Sequence, residues 1–267
     1  MSDDVPRLPW TDEQWATIQR VVQEAAGKAR VASSFLPLVG PLPPGQTTVP
    51  ALTMDPATLE TDDWTALRLT TIACNVSLTT QQAEDPDLAA ARQMLARAAE
   101  GIGRLEDAIV FNGQPGPDTA PDVRLEIGTV RGGQGNRGLV DIDPFETIER
   151  TDEEGIDSLS LVSAIAAAIQ RLEEQSHYGP FACVLGHELF LAANSPEDSL
   201  AFPSDRILPF LEGGPLRRAS VIPPDVGIVV ALAGSPVDLV VGSDVHVKFL
   251  QLTTEPRYVL RVSERFV

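Results

Sequence analysis

The chain is expected to fold as an α+β subunit, with helices and antiparallel strands segregated along the sequence. Three observations predict this. Apolar residues recur three or four apart in separate stretches headed by Trp15, Leu88 and Val162, the period of a helix with one buried face. From Gly227 onward the pattern changes to short β-branched runs broken by Gly-Ser-Pro, Gly-Ser-Asp and Thr-Glu-Pro, the punctuation of antiparallel strands. No strand–helix–strand unit repeats between them, which argues against a doubly wound parallel sheet.

The first helix has a readable start. Thr11-Asp12-Glu13-Gln14 has capping-box spacing, so the side chain at each end can satisfy the other's free backbone N–H. Trp15, Ile18, Val22 and Ala25 then share one face until Gly27, where the helix is expected to stop. From Phe35 to Met54 the prolines Pro37, Pro41, Pro43, Pro44 and Pro50 deny backbone donors to any regular helix, and the segment reads as an extended arm. Thr-, Val- and Ile-rich alternation from Trp64 to Leu78 predicts a single returning strand. Asp85 as N-cap and Pro86 at the first helical position open a long helix, in which Leu88, Ala91, Leu95, Ala98, Ile102, Leu105 and Ile109 keep helical spacing. Gly101 and Gly103 each weaken it by roughly 1 kcal/mol relative to alanine, and a kink is expected there.

Gln114 to Gly138 reads as loop with a short hairpin around Val123 to Val130. A further helix starts near Asp157 and carries Val162, Ile165, Ile169 and Leu172. The strand Phe181 to Leu185 runs into a helix from His187 to Ala193, and a short helix around Ile207, Leu208 and Leu211 ends at Gly213-Gly214. Four strands close the chain: Gly227 to Ala233, Val237 to Val241, Val245 to Leu252 and Arg257 to Val262.

Composition narrows the function. At 267 residues, 43% hydrophobic and 22% charged, the chain can bury a substantial core. Its 38 acidic against 20 basic residues give a net charge of -18, which repels nucleic acid and anionic membrane. No stretch reaches the roughly 20 apolar residues that span a bilayer. The N-terminus lacks the basic and apolar regions of a signal peptide, so a cytosolic protein is expected. Two cysteines, Cys74 and Cys183, lie among apolar neighbours and read as buried free thiols.

Several motifs invite chemistry and have simpler readings. Gly133-Gln-Gly135-Asn-Arg-Gly138 matches a dinucleotide fingerprint, but Pro144 and Val140-Asp-Ile-Asp deny the helix that should follow, leaving a loop. Cys183 and His187 are four apart with Gly186 and a strand-to-helix change between them, so a buried thiol and a surface histidine are expected rather than a nucleophile and base. His177, His187 and His246 lack metal-ligand spacing. The acidic clusters Asp62-Asp63 and Asp152-Glu153-Glu154 read as solvated loops. In the arm, Leu36, Leu38, Val49 and Leu52 present apolar side chains that a lone subunit could not cover, which predicts closed symmetric assembly.

Five stretches occur in a telling order: Asp85-Pro86-Asp87-Leu88; Glu106-Asp107 to Phe111 with Gly113; Gly179-Pro180 to Glu188-Leu189; Leu239-Val-Val-Gly242-Ser243-Asp244; and Ser263-Glu264-Arg265-Phe266. Together they resemble the encapsulins, linocin- and bacteriocin-like shell proteins of the HK97 phage-capsid fold. The chain departs from that family at Val31 to Pro41, where an apolar-acidic-apolar run is usual, and in an expanded loop between Gln114 and Gly138.

The resemblance implies an HK97-like subunit with an N-terminal helix and arm over 1–39, an E-loop over 40–65, a peripheral domain with the long helix over 66–132, an axial domain over 133–233 and closing strands over 234–267. It implies a non-enzymatic shell protein without cofactor, forming an icosahedral homo-oligomer. Such a cytoplasmic nanocompartment would enclose a ferritin-like or peroxidase-type cargo, for iron storage or oxidative-stress defence, held by a short targeting peptide. The docking region implied is Trp15, Ile18 and Val22 with Lys28 and Arg30. The pore-lining loop implied is Asn194, Ser195, Glu197, Asp198 and Ser199, whose charge would favour cations. The alternatives are a viral or prophage major capsid protein of the same fold and, more distantly, a hydrolase.

Overall fold

The computed structural model describes residues 8–54, 61–114, 128–140, 158–196, 202–234 and 237–267. Helix α1 spans Asp12–Ala29, and its capping box forms as expected, with Thr11 accepting from the Gln14 N–H and Gln14 accepting from the Thr11 N–H. It runs through Gly27, whose position has open space around it. A 3-10 turn at Ala32–Ser34 leads to strand β1 (Leu38–Val39), then β2 (Thr48–Met54) and β3 (Thr61–Arg68), which pair antiparallel as a hairpin. Strand β4 (Thr70–Thr79) follows, so the single returning strand expected from Trp64 to Leu78 is divided at Leu69 between two sheets.

After the one-turn helix α2 (Thr80–Ala83), helix α3 covers Ala89–Asn112. It begins three residues later than expected, at Ala89 rather than Pro86. Asp85 still serves its start, accepting from the Asp87 N–H at 3.2 Å and the Ala89 N–H at 3.0 Å, while Leu88 takes a left-handed conformation as the N-cap. Helix α3 is unbroken through Gly101 and Gly103. A Cβ on Gly103 would lie 3.0 Å from the Ala26 carbonyl oxygen and 3.2 Å from Ala29 Cβ, so this glycine serves the close approach of α1.

Strand β5 (Gly128–Arg131) joins β4; the rest of the expected hairpin at 123–127 lies outside the described residues. Helix α4 (Ser158–Glu174), strand β6 (Phe181–Leu185) and helix α5 (His187–Ala193) match the expected elements. Helix α6 (Pro203–Ile207) passes into a 3-10 turn at Leu208–Leu211. Strand β7 (Leu216–Arg218) is an element the sequence reading lacked, and β8 (Gly227–Ala231) follows it. The two strands expected at 237–241 and 245–252 are one, β9 (Leu239–Leu252): Gly242-Ser243-Asp244 is not a turn but a region of irregular register against β10 (Arg257–Phe266).

The sheets are β1-β9-β10-β4-β5, β2-β3 and β7-β6-β8. Along β10, Leu260, Val262 and Phe266 point inward with Ile72, Cys74 and Leu78 of β4 onto the buried stripe of α3 and α1. Strand β6 is buried at every residue, as an uninterrupted apolar run requires. Phe181, Cys183 and Leu185 join α4, α5 and α6 in a second hydrophobic cluster, whereas Val184 belongs to the main one. Leu36, expected to be exposed, is buried against the main core; Leu38 and Val39 remain exposed.

Candidate functional site

Residues carrying three of the five resemblance motifs converge on one arginine. Arg30 caps the C-terminus of α1 and enters the space between α3 and the five-stranded sheet. Its Nε lies 2.5 Å from Glu106 Oε2, its Nη1 3.3 Å from Asp244 Oδ1, and its Nη2 donates to Glu264 Oε1. Nε and Oε2 are close but poorly aligned, so that contact is an ion pair rather than a directed hydrogen bond. Next to Glu106 on α3, Asp107 accepts from the N–H groups of Val31 and Ala32 at 2.8–3.0 Å, fixing the turn where the chain leaves α1.

The side chains of Glu106 and Glu264 are each 1% exposed, and one cation cannot neutralise both. Burial is the first cause that raises Glu106 well above the usual carboxylate range, and the neighbouring Glu264 raises it further against the pull of Arg30. Glu264 is also raised, chiefly by burial. The two buried carboxyls share one guanidinium, so both are harder to ionise than a solvated glutamate. Burial likewise raises Asp107 to about 6, although its backbone donors favour the charged form.

This junction pins α1, α3, β9 and β10 together, and α1 is fastened elsewhere as well. Gln19 on α1 donates to the Val245 carbonyl at 2.8 Å and accepts from the Val247 N–H at 3.1 Å, taking a strand's place at the edge of β9. Trp10 donates to the Ala83 carbonyl at 2.8 Å and meets Trp15 edge-on, with centroids 4.9 Å apart.

The implied docking residues therefore scatter by environment. Ile18 and Val22 are fully buried in the core, Trp15 is half-buried beside Trp10, Arg30 is held in the charge junction, and Lys28 is exposed. Of the implied pore loop, Asn194 and Ser195 are exposed at the end of α5, where each side chain donates back to a helix carbonyl at 2.8 Å. Glu197, Asp198 and Ser199 lie outside the described residues.

The charge junction itself escaped sequence reading, yet it left signals. Glu106 interrupts the apolar stripe between Ile102, Leu105 and Ile109, and Glu264 sits at an inward position of β10 between Val262 and Phe266. A carboxylate on a buried face calls for a partner.

Other motifs resolve by packing. A Cβ on Gly133, at φ +70, would meet Thr70 Oγ1 at 2.0 Å, and one on Gly138 would meet the Gly113 nitrogen at 2.0 Å, so these glycines let the loop lie against β4 and the end of α3. Cys183 is fully buried while His187 is exposed, and burial pushes the Cys183 thiol up to about 12.

The hairpin β2–β3 is the part of the fold least supported by its own subunit: among the described residues it packs to any extent only against itself. Such a two-stranded ribbon is marginal in water. Exposed apolar side chains gather elsewhere too, with Leu191 on α5, Phe202 before α6, and Leu208 and Phe210 in the following 3-10 turn.

This architecture is that of a capsid-type shell subunit. The virus-like particle from Pyrococcus furiosus is similar over 95% of this chain and 93% of that chain, with a TM-score of 0.69 at 14% identity. The capsid of the Myoviridae phage XM1 is similar at a TM-score of 0.59 and 13% identity, covering 86% of this chain and 84% of that one. A chain of Mycobacterium phage Bobi gives 0.56 at 18% identity, covering 91% and 82%. No curated protein matches the chain. The chain belongs to the encapsulin family of shell proteins: the family model described as an encapsulating protein for peroxidase matches residues 131–267, just over half of its 267 residues.

Proposed function

We propose that this chain is the shell subunit of an encapsulin nanocompartment: copies assemble into a closed icosahedral container, enclose a cargo enzyme and do no catalysis themselves. The observation that carries this reading is the family match over the C-terminal half, whose description names a peroxidase as the enclosed protein. The uncovered hairpin supports assembly, because closed symmetric contacts supply the surface it lacks. The separate hydrophobic cluster within residues 161–231 supports an axial domain over 133–233, set against a peripheral domain built from 1–39, 66–132 and 234–267 with an E-loop over 40–65.

Cargo of the peroxidase or ferritin-like kind would place the compartment in the cytoplasm, in oxidative-stress defence or iron storage. Its targeting peptide would meet the α1 region through surface that remains accessible there, including Trp15 and Lys28. Pores lined by the loop from Asn194 to Ser199 would admit small molecules, with Glu197 and Asp198 favouring cations. No described helix is long and apolar enough to cross a membrane.

A major capsid protein of a virus or prophage is the second reading, favoured by the likeness to phage capsids. Mass spectrometry of particles purified from the native cell separates the two. An enclosed peroxidase or ferritin-like protein is expected; particles filled with DNA and lacking an enzyme would overturn the compartment reading.

A further inference from the structure

Beyond the shell reading, we propose that the open face of the five-stranded sheet is a binding site for a short chain of linked phosphate groups. The face is basic in a chain whose net charge is -18. Strand register places Arg131, Thr71 and Arg265 in one row across β5, β4 and β10, and Asn75, Arg261 and Lys248 in another across β4, β10 and β9. These side chains point away from the core, because the alternate residues Ile72, Cys74, Val247, Val262 and Phe266 are buried. Between the rows lie the small residues Ala73 and Ser263, opposite one another, so the middle of the face is lower than its cationic edges. No acidic side chain stands in these rows, and the nearest acids in sequence, Asp244 and Glu264, turn to Arg30 instead.

The cations are held on this face without being neutralised. Lys248 and Arg261 are directly opposite across the strands, a like-charge pair that destabilises a sheet unless an anion covers it. Arg261 donates to Asn75 Oδ1 at 3.0 Å and Arg265 donates to the Gln46 carbonyl, and both acceptors are neutral, so they steady the side chains and leave their charge in place. Ser263 Oγ lies 3.4 Å from His246 Nε2, and His246 Nδ1 lies 2.8 Å from the Asp244 carbonyl oxygen, which puts the ring proton on Nδ1 and makes the serine the donor to Nε2. Among the described residues, Arg131, Lys248, Arg261 and Arg265 have no ion-pair partner.

Spacing identifies the ligand. Neighbouring strands lie about 4.8 Å apart and a strand rises about 3.3 Å per residue, so Lys248 and Arg261 can reach one anionic group together, whereas Arg265 stands about 13 Å along β10 and Arg131 about 10 Å across from it. One orthophosphate cannot engage both rows; a linked chain of phosphates can, met from each end by the long arginine and lysine side chains. A terminal phosphate carries up to about two charges and several acceptor oxygens, and so answers the paired Lys248 and Arg261 in a way that a single carboxylate does not. No aromatic side chain stands in the rows to stack a base, and a longer nucleic acid would run off the face onto an acidic protein.

Calorimetry and thermal unfolding of the purified protein with inorganic tripolyphosphate test the site. At about 20 mM salt one tripolyphosphate per chain should bind, raise the melting temperature and hold about tenfold or more tighter than orthophosphate, and about 300 mM salt should weaken it. Lys248→Gln and Arg131→Gln, both at exposed positions, should each weaken binding about tenfold, and Lys248→Gln should leave the unliganded melting temperature equal or higher because it removes a like-charge pair. Arg92→Gln with Arg104→Gln, at exposed positions of α3, should weaken binding by less than about twofold. Equal weakening by the α3 pair would mean diffuse attraction and overturn the site, as would the absence of binding at low salt. Tighter binding of polyglutamate or of a single-stranded DNA, lost in the same sheet variants, would overturn the assignment to linked phosphates. None of these readouts requires particles to form, so the shell reading stands or falls separately.

Discussion

Arg30→Met tests the charge junction. The substitution keeps a side chain of similar length but removes the cation between Glu106 and Glu264, whose side chains are each 1% exposed. Breaking a buried ion pair by removing one partner costs about 3–5 kcal/mol, because the charge left behind stays buried. At about 2–3 °C per kcal/mol for a domain of this size, melting should fall by about 6–15 °C. The loss must depend on pH. Both glutamates have folded pKa values raised above the ordinary 4.5, so their contribution is present below that value and is lost as pH rises through the folded values. Without Arg30 they rise further, and the variant should lie closest to the native protein near pH 4.5 and furthest from it near pH 8. Thermal unfolding followed by fluorescence at both pH values reads this directly. Replacing the junction throughout, with Arg30→Met, Glu106→Leu and Glu264→Met, should recover most of the loss, since a well-packed apolar substitute is often neutral or stabilising. A melting loss equal at the two pH values, or below about 2 °C at both, would refute the buried charge junction.

Other expectations can be checked on the same material. Gly103→Leu should destabilise by about 1–3 kcal/mol through overpacking against Ala26 and Ala29, read as a lowered denaturation midpoint. Gly133→Ala should lower stability without altering any nucleotide affinity, because its side chain would strike Thr70 and its φ is +70; nucleotide binding that vanishes with the substitution would restore the dinucleotide reading. Cys183, fully buried and with its thiol pushed up to about 12, should resist iodoacetamide at pH 8 in the folded protein and react fully in denaturant. Asp107, raised from 3.8 to about 6, contributes stability that is complete below about 4 and lost as pH rises through about 6; in Asp107→Asn that part of the pH dependence should disappear.

Much of the fold was legible because its signals are local. The capping box of α1, the uninterrupted apolar run of β6 and the stripe of α4 each state their own element, and each forms within a residue or two of the expected bounds. Misreadings arise where a distant partner decides. Gly242-Ser243-Asp244 has the composition of a turn, but pairing with β10 on one side and contact of Asp244 with Arg30 on the other keep the chain extended. Leu88 takes over the cap from Asp85 because the Asp-Pro-Asp turn consumes the residues meant to open the helix. The stripe Ile18 and Val22 is a helix burying its apolar face, and no feature of that stripe could say whether α3 or a visiting peptide covers it. The charge of Arg30 is read from sequence, whereas the glutamates it pairs with, Glu106 and Glu264, lie far along the chain and no local pattern joins them to it. Assembly is hardest to read, since among the described residues the hairpin packs to any extent only against itself and local sequence does not say what covers it.

Electron cryomicroscopy of the purified protein addresses that point most directly. A shell subunit predicts hollow closed particles in which each β2–β3 hairpin lies across the body of an adjacent copy. Isolated subunits, with the hairpin resting on the chain that carries it, would contradict the account.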